Sequence, residues 1–260
     1  MLKIIIYALI IFIANTIGAV SGMGGGLIIK PALQLIDLDN VILINFYSSF
    51  AVFIMSISST WKQLRSNNKI SIGTAVYLSL GSVVGGILGD QSFKLMHSFI
   101  GSDKSVVVQM ILVIISLIIS LLLLCGRIKP LYLQGSILML IVGLFLGWLA
   151  TLLGIGGGPI NIAVFIFLFG IGMRQATIYS IITIFFSQGA KLIQALITRN
   201  VFGIDPLLLV AISFAAVFGG LIGAKISNSI DERCIVTVYN AVVFLVLILD
   251  SINLVEYLIL

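Results

Sequence analysis

The sequence predicts an all-α polytopic membrane protein with about eight membrane segments in two inverted repeats, each opening with a Gly-broken hairpin or re-entrant element. Three observations predict it. Of the 260 residues, 60% are hydrophobic and 9% charged, with a mean hydropathy of +1.28, against roughly 25% charged residues in a soluble domain. Two apolar stretches are interrupted by the clusters Gly22-Met23-Gly24-Gly25-Gly26 and Gly154-Ile155-Gly156-Gly157-Gly158-Pro159. The two clusters belong to a duplication that makes the chain one transmembrane domain, with a first copy over about 4–125 and a second over about 131–254.

So few charges cannot cover a water-facing surface, which excludes a soluble enzyme, a nucleic-acid binder and a disulfide scaffold. The net charge of +5 comes from basic residues scattered singly along the chain, the pattern of short loops on one side of a bilayer. Cys125 and Cys234 form neither a disulfide framework nor a metal site, and the single histidine, His97, falls beside a predicted loop. No cofactor or metal is expected. Intramembrane proteolysis lacks its parts as well: Ala19-Val20-Ser21-Gly22 misses the first glycine of a serine nucleophile motif. Gly89-Asp90 has no second buried aspartate to work with.

Six apolar stretches reach the roughly 20 residues that cross a bilayer, at about 41–61, 70–89, 105–125, 176–197, 204–225 and 234–254. The stretches 4–36 and 131–172 do not fit one crossing. Three successive glycines break a helix, each costing about 1 kcal/mol relative to alanine. The pieces that follow, Leu27–Ile36 and Ile160–Gly172, are too short for an ordinary span. Each stretch therefore reads as a hairpin whose glycine turn lies inside the membrane. Lys3 before an apolar run, with Ala19-Val20-Ser21 after it, imitates a signal peptide. The repeat argues against that reading, because the N-terminal segment belongs to the first copy.

The duplication shows in ordered landmarks. The first glycine cluster and Tyr47-Ser48 recur at one common offset, as the second cluster and Tyr179-Ser180. Arg65 and Gly85-Gly86-x-x-Gly89 recur as Arg199 and Gly219-Gly220-x-x-Gly223, at an offset longer by two positions. If each broken stretch enters and returns on one side, Lys62, Arg65, Lys69, Arg127, Lys129, Arg174, Lys225 and Arg233 share a side, opposite Lys3, Lys94, Lys104 and Arg199. Full crossings would reduce that bias, so the hairpin topology is favoured, with both termini outward. Each copy then makes an odd number of crossings, and the second is inverted relative to the first. Broken helices meeting in inverted repeats are the architecture of many secondary transporters.

The candidate site follows from these elements. Gly24, Gly25, Gly26, Gly156, Gly157 and Gly158 offer bare N–H groups that form an anion-binding nest at a helix N-terminus, and Pro159 suits the first turn of that helix. The alternative is that the glycines only let helices approach closely. Lys30 and Lys191 stand inside apolar stretches, where a charge costs about 2.5–3.5 kcal/mol even on the lenient scale. Both offer positive charge to an anion, although Lys30 has a second reading, snorkelling to the surface. Ser48, Ser180, Asn161 and Gln188, with Asn15, Asn45 and Gln194, either bind a ligand or join helices by hydrogen bonds. Gly81, Gly85 and Gly89, and Ala215, Gly219 and Gly223, have the spacing of close helix packing. The acidic residues Asp37, Asp39, Asp90, Asp103, Asp205, Asp231, Glu232, Asp250 and Glu256 all fall in predicted loops or near span ends.

Together the duplicated Gly-x-Gly-Gly-Gly, Tyr47-Ser48-Ser49 and Ala176-Thr177-Ile178-Tyr179-Ser180, the turns Arg65 to Ile70 and Arg199 to Ile204, and the Gly-rich spans after them resemble the sulfite exporter TauE/SafE family of permeases, over nearly the whole chain. The resemblance implies a cell-membrane, multi-pass permease of a prokaryotic plasma or inner membrane. It also implies export or import of a small anion such as sulfite, an organosulfonate or another small sulfur- or carbon-containing acid. Its implied pocket is Gly24–Gly26, Gly156–Gly158, Pro159, Ser48 and Ser180. The sequence departs from the family's usual threonine at Tyr47 and Tyr179 and from its usual small residue at Lys191, which adds bulk and charge near that pocket. The expected partners are the anion and the lipid bilayer, with no nucleic acid, and a homodimer is compatible with them. A non-transporting membrane scaffold and a passive anion channel are the alternatives.

Overall fold

Each glycine cluster ends one helix and starts the next. Gly22 (φ 76°) and Gly154 (φ 70°) take the left-handed conformation that closes a helix and that a Cβ disfavours. They terminate α1 (Leu2–Ser21) and α6 (Ser136–Leu153), and the short helices α2 (Gly26–Ile36) and α7 (Gly158–Phe169) follow. Pro159 occupies the first turn of α7, where its missing N–H forfeits no helical hydrogen bond.

The remaining helices are α3 (Val41–Leu64), α4 (Ile72–Ile100), α5 (Ser102–Leu124), α8 (Met173–Ile197), α9 (Pro206–Ser229) and α10 (Glu232–Ile259). The computed structural model describes residues 1–36, 38–65, 70–124, 129–197 and 203–259. Asp37, Lys69, Cys125, Arg127 and Arg199 lie outside the described residues. Eight helices among the described residues are long and apolar enough to cross a membrane, whereas α2 and α7, of 11 and 12 residues, are not. Side chains cap three of the long ones: Asn40 accepts from the Leu43 N–H, Ser71 from Thr74, and Asp205 from Leu207 and Leu208.

Two helices hold acidic residues deeper than their hydropathy suggests. The span expected to end near 89 continues to Ile100, because no breaker intervenes before Gly101 and Asp90 pairs with Lys94 one turn on. His97 therefore belongs to the last turn of α4 rather than to a loop. Helix α10 likewise carries Asp250 well inside its length. Asp90 and Asp250, read as near span ends, are each 5% exposed within a helix.

Packing exchanges partners between the halves. α4 lies along α6 and α9 along α1, while α3 and α8 meet each other and pack against α9 and α4 respectively. Small residues permit these contacts: Gly81 and Gly85 lie against the Leu140 and Leu144 carbonyls of α6, and Gly219 and Gly223 against the Phe12 and Thr16 carbonyls of α1. This matches the packing role that their spacing predicts. Lys3 at the start of α1 pairs with Asp39 beyond α2 at 2.8 Å, and Tyr7 donates to the same carboxylate at 2.6 Å. In the other half, the Leu131 and Leu133 N–H groups ahead of α6 donate to the Phe167 and Leu168 carbonyls at the end of α7, both at 2.8 Å.

Candidate functional site

The two glycine turns meet between α3 and α8. A Cβ at Gly24 would lie 3.3 Å from Ile184 and 3.4 Å from Val52, and one at Gly156 would lie 3.6 and 3.7 Å from the same two side chains. Val52 and Ile184 are themselves related by the offset that relates the turns. Where the turns touch, Gly158 lies on the Met23 carbonyl and the Cβ position of Gly26 is 3.0 Å from the Ile155 carbonyl. Each short helix thus begins against the backbone of the opposite turn.

Buried polar atoms without a hydrogen-bond partner collect around this contact: Asn15 Oδ1, both amide atoms of Asn161, and the hydroxyls of Ser48 and Ser180. The Asn15 amide abuts Gly25, and Asn161 Oδ1 is 3.1 Å from the Cβ position of Gly157. Along α3, Ser48 lies between Asn45, which reaches Gly154, and Val52; along α8, Ser180 lies between Thr177, which reaches Gly22, and Ile184. Helical spacing therefore puts both hydroxyls on the faces turned to the glycines. Gln188 is buried with an unpartnered Nε2. The Pro159 carbonyl accepts from the Tyr239 hydroxyl at 3.0 Å.

A cavity of about 290 Å³ opens beside the turns, among α3, α4, α5, α6 and α8. Lys191 lines it and donates from Nζ to Ser49 Oγ at 2.8 Å. The ion pairs among the described residues are Lys3–Asp39 and Asp90–Lys94, so Lys191 has no carboxylate in contact there. Asp90, Lys94 and His97 bring α4 to the cavity, Asn45 and Ser49 bring α3, and Gln109 and Thr151 complete its polar wall. Phe46, Phe93 and Leu192 line the apolar remainder.

Lys30 does not snorkel. It is 3% exposed, donates to Leu153 O at 3.1 Å and to Gln109 Oε1, and Gln109 in turn donates to Leu152 O at 2.6 Å. The ammonium sits at the C-terminus of α6, where carbonyls lack helical partners and the helix dipole is negative. Asn45 Oδ1, Gln109 Nε2 and Lys30 Nζ come within 2.8, 3.2 and 3.4 Å of the position a Gly154 Cβ would take. Glycine leaves the room for their convergence. Since Asn45 and Gln109 also line the cavity, Lys30 stands directly behind its inner wall.

The sequence candidates thus divide. Lys191 lines the cavity and Lys30 backs it, whereas Gly24–Gly26, Gly156–Gly158, Pro159, Ser48, Ser180, Asn161 and Gln188 are not among its lining residues. The added bulk of Tyr47 and Tyr179 is turned elsewhere: their hydroxyls accept from the Asp205 and Ser71 N–H groups, at 3.2 and 2.9 Å. Sequence reading did not put Ser49, Asp90, Lys94, His97, Gln109 or Thr151 in a site. The signals were present in the i, i+4 spacing of Asp90 and Lys94 without a breaker, and in Gln109 as a lone amide within the apolar run 106–124.

The family model described as Sulfite exporter TauE/SafE matches residues 7–249. The "Probable membrane transporter protein YunE" of Bacillus subtilis (strain 168) is 24% identical over 272 aligned residues, covering 94% of this chain and 96% of that protein. Members of the family are transporters rather than enzymes, and a multi-pass location is consistent with a bacterial plasma or inner membrane. With a match that starts in α1 and ends in α10, the chain belongs to the sulfite exporter TauE/SafE family of polytopic membrane permeases.

Proposed function

We propose that the chain is a secondary transporter that moves a small anion by alternating access between two inverted repeats, with the cavity at Lys191 as its anion site. The observation that carries this reading is an ammonium in a cavity with a hydroxyl partner and, among the described residues, no carboxylate in contact. A charge in a membrane segment is costly enough to need a partner or a function. A bound anion supplies the partner.

The inverted topology has its own support. The bonds Lys3–Asp39 and Leu131–Phe167 bring the open ends of α1–α2 and of α6–α7 together, as expected of two elements that enter and return on one side. Each copy then crosses three times, and the exchange of partners between α4–α6 and α9–α1 suits a two-fold relation. In this topology α3 starts, and α4 and α8 end, on the outer side, so the cavity faces outward.

The glycine turns belong to the path in a different way from a bare anion nest. Their backbone contacts favour close packing of one turn on the other, while the unpartnered Asn15, Ser48, Asn161 and Ser180 groups support a wet or ligand-binding zone around them. The turns hold the two short helices together at the inner end of the cavity, and the anion passes between them as the repeats rock. Sulfite, an organosulfonate or a small carboxylate is the substrate class.

The test is uptake and efflux of labelled sulfite, sulfate and acetate in vesicles containing the folded protein. Saturable flux of at least one of them is expected. Absence of flux for all of them would instead favour a membrane scaffold, and flux that does not saturate would favour a passive channel.

A further inference from the structure

Asp90 is a carboxylate in a cavity assigned to an anion, which is the wrong sign for simple binding. It is 5% exposed, lines the cavity from α4 and is ion-paired with Lys94 one helical turn away. Asp90 attracts Lys191 across the cavity while Lys94 repels it. The cavity lining therefore holds two ammoniums and one carboxylate among the described residues, a surplus of one positive charge. At the equivalent positions of the second copy, Asp90 and Lys94 are replaced by Ala224 and Asn228, and Lys191 has Ser59 as its counterpart in the first. The charges thus belong to one side of the molecule and are not imposed by the duplication.

We propose that Asp90 is a resident counter-ion, which neutralises part of the cavity when it is empty and yields Lys94 to the substrate, beside Lys191, when an anion enters. This rests on the transport reading and names how the same site is regulated. A carrier that performs net transport must reorient empty, and carrying two uncompensated ammoniums through a low-dielectric barrier is costly. With Asp90 in place the empty cavity carries one surplus charge, and a bound monoanion brings it to zero. The carboxylate also competes with the substrate for the ammoniums, so it lowers affinity and lets the anion leave.

The experiment uses vesicles with the wild-type chain, Asp90→Asn, Lys94→Gln and the double variant, and whichever of labelled sulfite, sulfate and acetate the wild type carries. Two quantities are read: the half-saturating concentration and the ratio of anion-for-anion exchange to net efflux into anion-free medium. Asp90→Asn is expected to lower the half-saturating concentration about tenfold and to raise the exchange-to-efflux ratio, because the empty form returns slowly. Lys94→Gln is expected to raise the half-saturating concentration, since Asp90 then neutralises Lys191 fully. The double variant restores the surplus of one and should bring the ratio back towards the wild-type value.

If exchange and net efflux change in parallel in Asp90→Asn, or the double variant behaves no better than the single one, Asp90 is not a counter-ion. Should Asp90→Asn fail to fold, Lys94→Gln and the double variant decide the matter: the first should raise the half-saturating concentration, and removing Asp90 as well should bring it back towards the wild-type value. A wild type that carries none of the three anions overturns the transport reading and this proposal with it. A wild type that transports while the variants break the charge rule overturns this proposal alone.

Discussion

Ser71 and Tyr179 come from different halves of the chain and are joined by a 2.9 Å bond in which the Ser71 N–H donates to the Tyr179 hydroxyl. The Asp205 N–H donates to Tyr47 in the same way at 3.2 Å, and the two tyrosines are separated by the same offset as the two glycine clusters. Ser71 and Asp205 cap α4 and α9, so each tyrosine ties a long helix of one half of the chain to the start of a long helix in the other half. Tyr47→Phe and Tyr179→Phe each leave an N–H without this partner. Each should cost about 1 kcal/mol, the net worth of a typical hydrogen bond, read as a lower melting temperature in detergent. Because the hydroxyls are turned away from the cavity, the half-saturating concentration for the transported anion should not change.

Lys191 gives the sharpest test of the anion site. Lys191→Met removes the charge with much of the side-chain length retained, and should weaken anion affinity about tenfold or more while the protein remains folded. Lys191→Arg keeps the charge in another shape and should retain more affinity than the methionine variant. Equal half-saturating concentrations in wild type and Lys191→Met would remove the residue from the site.

Lys30 is expected to matter for stability as much as for transport. Its bonds to Leu153 O and Gln109 hold the end of α6 against α5, and hydrogen bonds to charged groups are worth about 1.5–3 kcal/mol. Lys30→Met should therefore lower the melting temperature clearly. A lysine that only snorkelled would show little change.

The glycines should differ by position rather than act alike. A Cβ at Gly158 would overlap the Met23 carbonyl, whereas at Gly24 it would meet only the side chains of Ile184 and Val52, at 3.3 and 3.4 Å. Gly158→Ala is predicted to reduce the yield of folded protein strongly. Gly24→Ala should cost only the left-handed strain, about 1–2 kcal/mol, and leave a protein that can be assayed. The comparison is made by size-exclusion profiles and melting temperatures of both variants.

Topology can be read directly. Single cysteines introduced into a cysteine-free variant should be labelled from outside at both termini, and from the cytoplasm near Lys62, Lys129 and Lys225–Arg233. Cytoplasmic labelling of both termini would rule out two elements that enter and return on the same side.

Composition and the length of the apolar stretches determined the class of this protein. An apolar stretch long enough to cross a bilayer can satisfy its backbone in lipid only as a helix, barrels apart, so α3, α5 and α8 fall close to where hydropathy put them. Gly22 and Gly154 announced helix ends because the left-handed conformation favours glycine. Lys191, which lines the cavity, was legible as a residue that needs a partner because charge in lipid is rare enough to need a reason. Tertiary structure decided the rest. Asp90 and His97 joined the cavity only because α4 runs on to Ile100 and packs between α6 and α8. Gln109 and Thr151, unremarkable in the sequence, became its wall because α5 and α6 bring them beside Asn45. The glycine turns, the clearest signal in the chain, lie against each other's backbone instead of lining the cavity. Local sequence limits the conformation a segment can take, but which groups converge depends on the packing of helices far apart in the chain.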